Sequence, residues 1–144
     1  MSTDDVEALL AEGVIVRVVA DTEEARRELD AATAHLGGAE AAVNVDPTGA
    51  FTLAYDAARK AVVAHMRANG FRVRRRFGAH LQTGRYARAA LGGGDAEQHL
   101  AAFENMRIVR NDTAYGAEIV SASDAAEALA HARAIVAAVE RDLT

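Results

Sequence analysis

The strongest constraint on the fold of this chain is a long helical segment with a clear start and a clear stop. It begins at Asp46-Pro47, where the aspartate is suited to cap a helix and proline is accepted in the first turn. It ends at Asn69-Gly70, a typical C-terminal signal. Between them, apolar and small residues recur at three- and four-residue spacing. They are Phe51, Ala54, Tyr55, Ala58, Val62 and His65. The pattern predicts one helix with a continuous buried face.

Similar signals divide most of the remaining chain into further helices. Asp21 and Glu24 form a capping box that opens the second helix. Gly37-Gly38 would normally end it, but the apolar pattern resumes beyond the pair and predicts continuation to about residue 44. The other predicted helices cover about 3–12, about 78–91, a segment that opens at Asp95 and Gln98, and a last segment that opens at Ser123. Residues 71–77 are predicted to form a basic loop.

The overall prediction is an all-α, up-and-down helical bundle of about five helices, in a single domain over residues 1–144. Alanine is abundant, there is one proline and there is no tryptophan, a composition that favours closely packed helices. A length of 144 residues is typical of one domain. Val14–Val19 is β-branched, and two interpretations stay open for it: an extended connector or a lone edge strand.

The composition also excludes several classes of protein. There is no cysteine, so disulfides, thiolate catalysis and thiolate-bound metals are ruled out. No stretch resembles a secretory signal, and no run reaches the roughly 18 apolar residues of a membrane span. We therefore expect a cytoplasmic protein without membrane contact.

Charge is strongly segregated along the chain. Residues 57–94 contain nine of the sixteen basic side chains and no Asp or Glu, although the whole protein carries a net charge of −5. Such a block creates a local field that attracts anions. Fifteen of the sixteen are arginine, whose guanidinium suits phosphate and RNA. One interpretation is a solvated face whose arginines reflect codon bias. The other is a phosphate- or RNA-binding surface, with candidate residues Arg72, Arg74, Arg75, Arg76 and His80.

A second group of arginines lies on the predicted fifth helix. Arg107 and Arg110 are three residues apart and continue the stripe of Leu100 and Phe103. Arginine is rarely buried unless it is paired. Either both side chains reach water at the end of the bundle or pair with Asp112 or Glu104, or they sit in a groove beside Asn111 and Tyr115. In the second case an arginine, an amide and a phenol can bind a phosphodiester and stabilise charge on it.

The histidines and glycines give weaker signals. None of the five histidines has a spacing typical of a metal ligand set, so no metal and no cofactor are expected. His65 lies on an apolar stripe and is predicted to be a hydrogen-bonded core residue. Gly92-Gly93-Gly94 has no preceding strand and no following Lys-Ser/Thr, so it is predicted to be a linker.

Two segments resemble the HEPN superfamily (higher eukaryotes and prokaryotes nucleotide-binding domain). One is Leu53-Ala54-Tyr55-Asp56-Ala57-Ala58-Arg59-Lys60-Ala61, and the other is Arg107-x-x-Arg110-Asn111-x-x-x-Tyr115-Gly116. The resemblance covers residues of about 21–141. It implies a helical domain that forms a homodimer with a shared cleft. Many members are metal-independent ribonucleases that use an Arg, a polar residue and a His in an Arg-x4–6-His motif.

Carried onto this chain by position, the resemblance implies that Arg110 is the motif arginine and Asn111 the polar residue. Tyr115 stands where the motif histidine would fall. Imidazole titrates near neutral pH, whereas a phenol of pKa about 10 is a weak base. Loss of efficient proton transfer typically costs about 10²–10⁴-fold in rate. The chain is therefore expected to bind RNA or a nucleotide as a homodimer, with Arg107 assisting, and to have weak or no nuclease activity.

Three alternatives to that expectation stay open. The first is a toxin-like, metal-independent ribonuclease in which Tyr115 or His80 replaces the missing histidine. The second is a helical adaptor without a ligand. The third adds a partner protein to the binding module. In toxin–antitoxin pairs that resemble this one, a nucleotidyltransferase can modify a tyrosine beside the motif. The resemblance makes Tyr115 the corresponding residue.

Overall fold

The computed structural model describes residues 3–75, 78–114 and 119–144. Six α-helices account for most of these ranges: α1 (Thr3–Glu12), α2 (Thr22–Ala42), α3 (Pro47–Asn69), α4 (Ala79–Leu91), α5 (Glu97–Ala114) and α6 (Ala122–Leu143). The all-α helical prediction is confirmed, and the six helices fall on the six segments that the sequence analysis marked as helical. None of the helices in these ranges is long and apolar enough to cross a membrane.

The capping residues read from the sequence begin the helices as predicted. The side chain of Asp21 accepts a hydrogen bond from the Glu24 amide at 2.9 Å, and that of Asp46 accepts one from Gly49 at 3.0 Å. At the other end of α3, Gly70 adopts a left-handed φ of +80°. A Cβ there would lie 2.8 Å from the carbonyl oxygen of Val18, so only glycine fits this turn.

The predicted loop over residues 71–77 is wrong for its first part. Phe71–Val73 forms a strand, β2, which pairs antiparallel with β1 (Ile15–Arg17). The Val14–Val19 segment is thus extended, as one interpretation held, but its strand is paired rather than alone. The cause is tertiary: the Gly70 turn sends the chain back beside β1, and backbone pairing then satisfies both segments.

Two helix starts differ slightly from the prediction. The last helix begins at Ala122 and is capped by Ser121, whose hydroxyl accepts a hydrogen bond from the Asp124 amide at 3.0 Å, rather than opening at Ser123. A short 3₁₀ turn over Gly94–Ala96 precedes α5, so the α-helix itself starts at Glu97. Helix ends commonly tighten in this way.

Helix α3 is the central element of the core. Six alanines on it are fully buried: Ala50, Ala54, Ala57, Ala58, Ala61 and Ala64. Small side chains let neighbouring backbones approach closely, and α3 packs mainly against α2 and α6. The Gly37-Gly38 pair fits the same pattern, because a Cβ on Gly38 would lie 3.3 Å from Leu53 of α3. As predicted, α2 therefore passes through the glycine pair and continues to Ala42.

His65 links α3 to α4 and to the end of α6. Its Nδ1 lies 2.8 Å from the Tyr86 hydroxyl and its Nε2 lies 2.5 Å from a carboxylate oxygen of Asp142. Burial lowers the pKa of His65, although the Asp142 carboxylate opposes this. A neutral ring that donates from Nε2 and accepts from Tyr86 satisfies all three groups. The prediction of a hydrogen-bonded core histidine is confirmed.

Candidate functional site

Side chains from three helices meet around Tyr55, on the face of α3 opposite to its alanine contacts. The Tyr55 ring stacks on Phe103 of α5, with centroids 5.3 Å apart and planes 26° apart. The His80 ring of α4 lies 5.7 Å from the same ring. The guanidinium carbon of Arg110 lies 5.9 Å from its centroid, a distance typical of a cation–π contact. Residues separated by up to 55 positions thus form one cluster, which we call the Tyr55 cluster.

Arg59 adds a second cation to the Tyr55 cluster from the next turn of α3. Its Nε is buried and lies 3.8 Å from Asp56 Oδ1, which is too long for a hydrogen bond. The Tyr55 hydroxyl is also buried and has no hydrogen-bond partner among the described residues. Buried polar groups are nearly always paired in native proteins, and an unpaired one costs about 1–3 kcal/mol. The Arg59 Nε and the Tyr55 hydroxyl are thus two neighbouring donors that have no acceptor among the described residues.

Burial and the neighbouring positive charges both favour the neutral form of the His80 ring. Burial lowers the pKa of His80, and the positive charges of Arg59 and Arg110 lower it further, while Asp56 acts weakly in the opposite direction. A neutral imidazole at pH 7 can both donate and accept a hydrogen bond. No hydrogen bond joins the His80 ring to the part of the protein that the structure describes.

Tyr55 has the opposite character. Burial raises its pKa to about 12, although the cations of Arg59, Arg107 and Arg110 partly offset this. The phenol therefore stays protonated at neutral pH and acts as a donor. The Tyr55 cluster thus combines a neutral imidazole, a phenolic donor and guanidinium groups, a set suited to an anionic ligand with acceptor oxygens.

The two arginines of α5 have different surroundings. Arg107 donates from Nε and Nη2 to one carboxylate oxygen of Glu104, at 2.9 and 2.7 Å. This is one of the ion pairs that the sequence left open. A Cβ on Gly84 would lie 2.7 Å from Glu104, so a glycine in α4 makes room for that carboxylate. Arg110 forms no ion pair with any residue in the described ranges. It is therefore the α5 cation whose charge remains available to a ligand.

The arginine-rich segment reaches the Tyr55 cluster through a cleft between α3, β2 and the start of α4. The cleft has a volume of about 180 Å³, and Arg59, Arg67, Arg72 and His80 line it. Next to it, Arg72, Arg74 and Arg75 surround an open depression. Arg72 and His80, both predicted from the sequence, are thus brought together.

Other members of the basic block are neutralised by carboxylates. Arg85 of α4 makes a two-pronged pair with Glu12 of α1, at 2.6 and 2.8 Å. Arg88 pairs with Glu97, and Lys60 lies 3.5 Å from a carboxylate of α2. The interpretation as a solvated, ion-paired face therefore describes this part of the block. Arg67 and Arg72, which have no carboxylate partner among the described residues, lie at the cleft beside His80.

Three of the predicted residues need separate mention. Asn111 follows Arg110 on α5 and is half-buried. Arg76 and Tyr115 lie outside the described residues, so their predicted roles have no structural counterpart. Arg59 and Tyr55 were noticed only as parts of the basic block and of the packing stripe. Their i, i+4 spacing, which puts both on one face of α3, is the signal that links them.

Comparisons with protein-family models, with curated proteins and with solved structures gave no match to this chain. The resemblance to the HEPN superfamily therefore depends on the motif residues alone. Within the described residues, no group of three or more His, Asp or Glu side chains is arranged to hold a metal ion.

The geometry predicts that the pKa of His80 depends on the charge of Arg110. Its pKa, read from ¹³C or ¹⁵N NMR of the ring, should lie below the ordinary value of about 6.5. Arg110→Ala should raise it because a repelling charge is removed. Arg133→Ala is the matched control, since Arg133 pairs with Glu40 on another face and should leave the titration unchanged. If the pKa of His80 has its ordinary value and is the same in the Arg110→Ala variant, the two side chains do not face each other.

Proposed function

We propose that this protein is an RNA- or nucleotide-binding module whose phosphate-binding centre is the Tyr55 cluster. The observation that carries the proposal is the convergence of Arg59 and Arg110 on His80 and Tyr55. Arg110 has no carboxylate partner among the described residues, and the Arg59 Nε has no acceptor. Cations held next to unpaired donors favour a ligand with several negative oxygens.

The physical alternative of a purely structural cluster is less favourable. Arg110 has no carboxylate partner among the described residues, and Arg59 has only a long ion pair of 3.8 Å with Asp56, while both cations lower the pKa of His80. Elsewhere in the same protein, arginines are matched by carboxylates, as in the Arg85–Glu12 and Arg107–Glu104 pairs. A bound phosphate would supply the missing counter-charge at Arg110 and a closer partner than Asp56 for Arg59. Dimerisation, and a nucleotidyltransferase partner, rest on the resemblance alone.

The proposal predicts salt-dependent RNA binding centred on Arg110. Affinity for single-stranded RNA should fall steeply with rising salt, because binding releases counterions from the RNA and this release is less favourable at high salt. Arg110→Ala should weaken binding by about tenfold or more, because a hydrogen bond to a charged group is lost. It should also flatten the salt dependence by about one unit of slope. Fluorescence anisotropy at several salt concentrations measures both.

Arg133→Ala is the control for that experiment, because it changes the net charge by the same amount at a remote ion pair. It should alter RNA affinity little. Equal losses in the two variants would mean that general charge, and not the Tyr55 cluster, governs binding. Absence of RNA binding in the unmodified protein would contradict the proposal itself.

The neutral state of His80 favours a second candidate, a metal-independent ribonuclease. A neutral imidazole can accept the proton of a ribose 2′-hydroxyl, which frees that oxygen to attack the adjacent phosphorus. The bond from phosphorus to the 5′-oxygen then breaks, and the imidazolium returns the proton to that leaving oxygen, which gives a 2′,3′-cyclic phosphate and a 5′-hydroxyl. Arg110 and Arg59 would then stabilise the negative charge that develops on the phosphate oxygens. In this scheme His80 performs the role that the motif histidine has in the families that this chain resembles.

The nuclease candidate predicts RNA cleavage in EDTA and no cleavage of DNA of the same sequence, which lacks the 2′-hydroxyl. His80→Asn should reduce the rate by about 10²–10⁴-fold while RNA binding persists. His131→Asn, on α6, is the control and should cleave normally. Cleavage that survives His80→Asn and Arg110→Ala would exclude this mechanism, and a lack of cleavage in the unmodified protein would leave the binding module.

A further inference from the structure

The cleft beside His80 differs from a simple phosphate site because its floor is apolar. Besides its basic rim, apolar side chains line it, namely Val63, Met66, Phe71, Val73 and Ala79. Met66 and Phe71 are almost completely buried. The Thr83 hydroxyl donates its proton to the Ala79 carbonyl at 2.7 Å, so only its lone pairs face other groups. No carboxylate appears among the described residues that line the cleft.

This combination argues against a phosphate inside the cleft. A phosphate group carries a strongly held hydration shell, which apolar side chains cannot replace. A nucleobase matches the cleft better, because its faces are apolar while its edge carries hydrogen-bonding atoms. Single-stranded RNA is recognised in this way, with bases stacked on aromatic rings or on the planes of guanidinium groups.

The size of the cleft limits what enters it. Its volume of about 180 Å³ is well below the roughly 300–1,000 Å³ of pockets that enclose drug-sized ligands. A single heteroaromatic base fits that space, and a whole nucleotide does not. The rest of the nucleotide would remain outside, near the cationic rim.

We propose that the cleft is a base-binding subsite, which takes one base of an RNA strand whose phosphate is held by Arg59 and Arg110. This inference rests on the proposed RNA-binding function and adds a specific location for the base. Arg59 joins the two parts, because it lines the cleft and also belongs to the Tyr55 cluster. Its Nε is buried, but about 26% of the side chain is exposed, so a carbonyl or ring nitrogen of a base edge can meet the exposed part of the guanidinium.

The experiment compares two probes with equal charge. One is a single-stranded oligoadenylate of about eight nucleotides, and the other is an abasic ribose–phosphate chain of the same length. Because their phosphates are identical, a difference in affinity reports contacts with bases. We expect the abasic chain to bind about tenfold more weakly, in line with about 1–3 kcal/mol for a stacked base.

Variants that fill the cleft locate the effect. Ala79→Leu enlarges an exposed residue in the first turn of α4, and Val63→Phe narrows the cleft from α3. Circular dichroism checks that each variant is folded. Both should bind the oligoadenylate about as weakly as the abasic chain. Ala130→Leu changes an exposed alanine of α6 outside the cleft and should keep the full difference in affinity between the two probes. Arg110→Ala should weaken the binding of both probes and keep the ratio of their affinities.

The outcomes separate this inference from the proposed function. If the unmodified protein binds both probes equally and Arg110→Ala weakens both, the base subsite is wrong and phosphate binding stands. If folded cleft-filling variants still discriminate between the probes, bases are bound elsewhere and the subsite is again wrong. If neither probe binds at all, the proposed function fails and the inference fails with it.

Discussion

Six buried alanines let α3 lie close to α2 and α6, and this close packing determines which residues of α3 face the other way. The buried stripe of a helix covers about 100° of its circumference. Because small residues fill that stripe on α3, its larger side chains lie on the rest of the surface and make the other contacts. Tyr55 and Arg59 occupy that remaining face, where Tyr55 contacts α4 and α5. The position of the Tyr55 cluster is thus a consequence of how the core packs.

The same packing places cations beside buried aromatic rings. Tyr55 is removed from water, His80 is half-buried, and Arg110 lies over the tyrosine ring. Repulsion among cations in such a place is stronger than in bulk water, because the effective dielectric constant is lower. The protein relieves this for Arg107 through Glu104, whose carboxylate lies against Gly84 of α4. The contrast between Arg107 and Arg110 is the basis of the proposed anion binding.

Much of the helical framework could be predicted, because helix starts are encoded locally. Asp21 and Asp46 cap their helices as their sequence context indicated, and Gly70 ends α3. The pairing of β1 with β2 could not be predicted. The two strands are more than fifty residues apart, and their pairing depends on the Gly70 turn and on backbone groups rather than on a side-chain pattern.

The candidate site was predictable only in part. The basic block drew attention to Arg72 and His80, and the α5 stripe to Arg107 and Arg110. Whether each arginine is paired depends on carboxylates brought in by tertiary packing, such as Glu12 beside Arg85. The buried donor of Arg59 has no sequence signal of its own, because burial of a single atom follows from the packing of three elements.

The most direct test of the account is an NMR map of RNA binding. An RNA oligonucleotide would be titrated into protein labelled at arginine side chains and histidine rings. The account predicts that the Arg59 Nε, the His80 ring and Arg110 respond together and saturate with one dissociation constant. Changes confined to a different face, such as the groove between α5 and α6 near Met106 and His131, would contradict it.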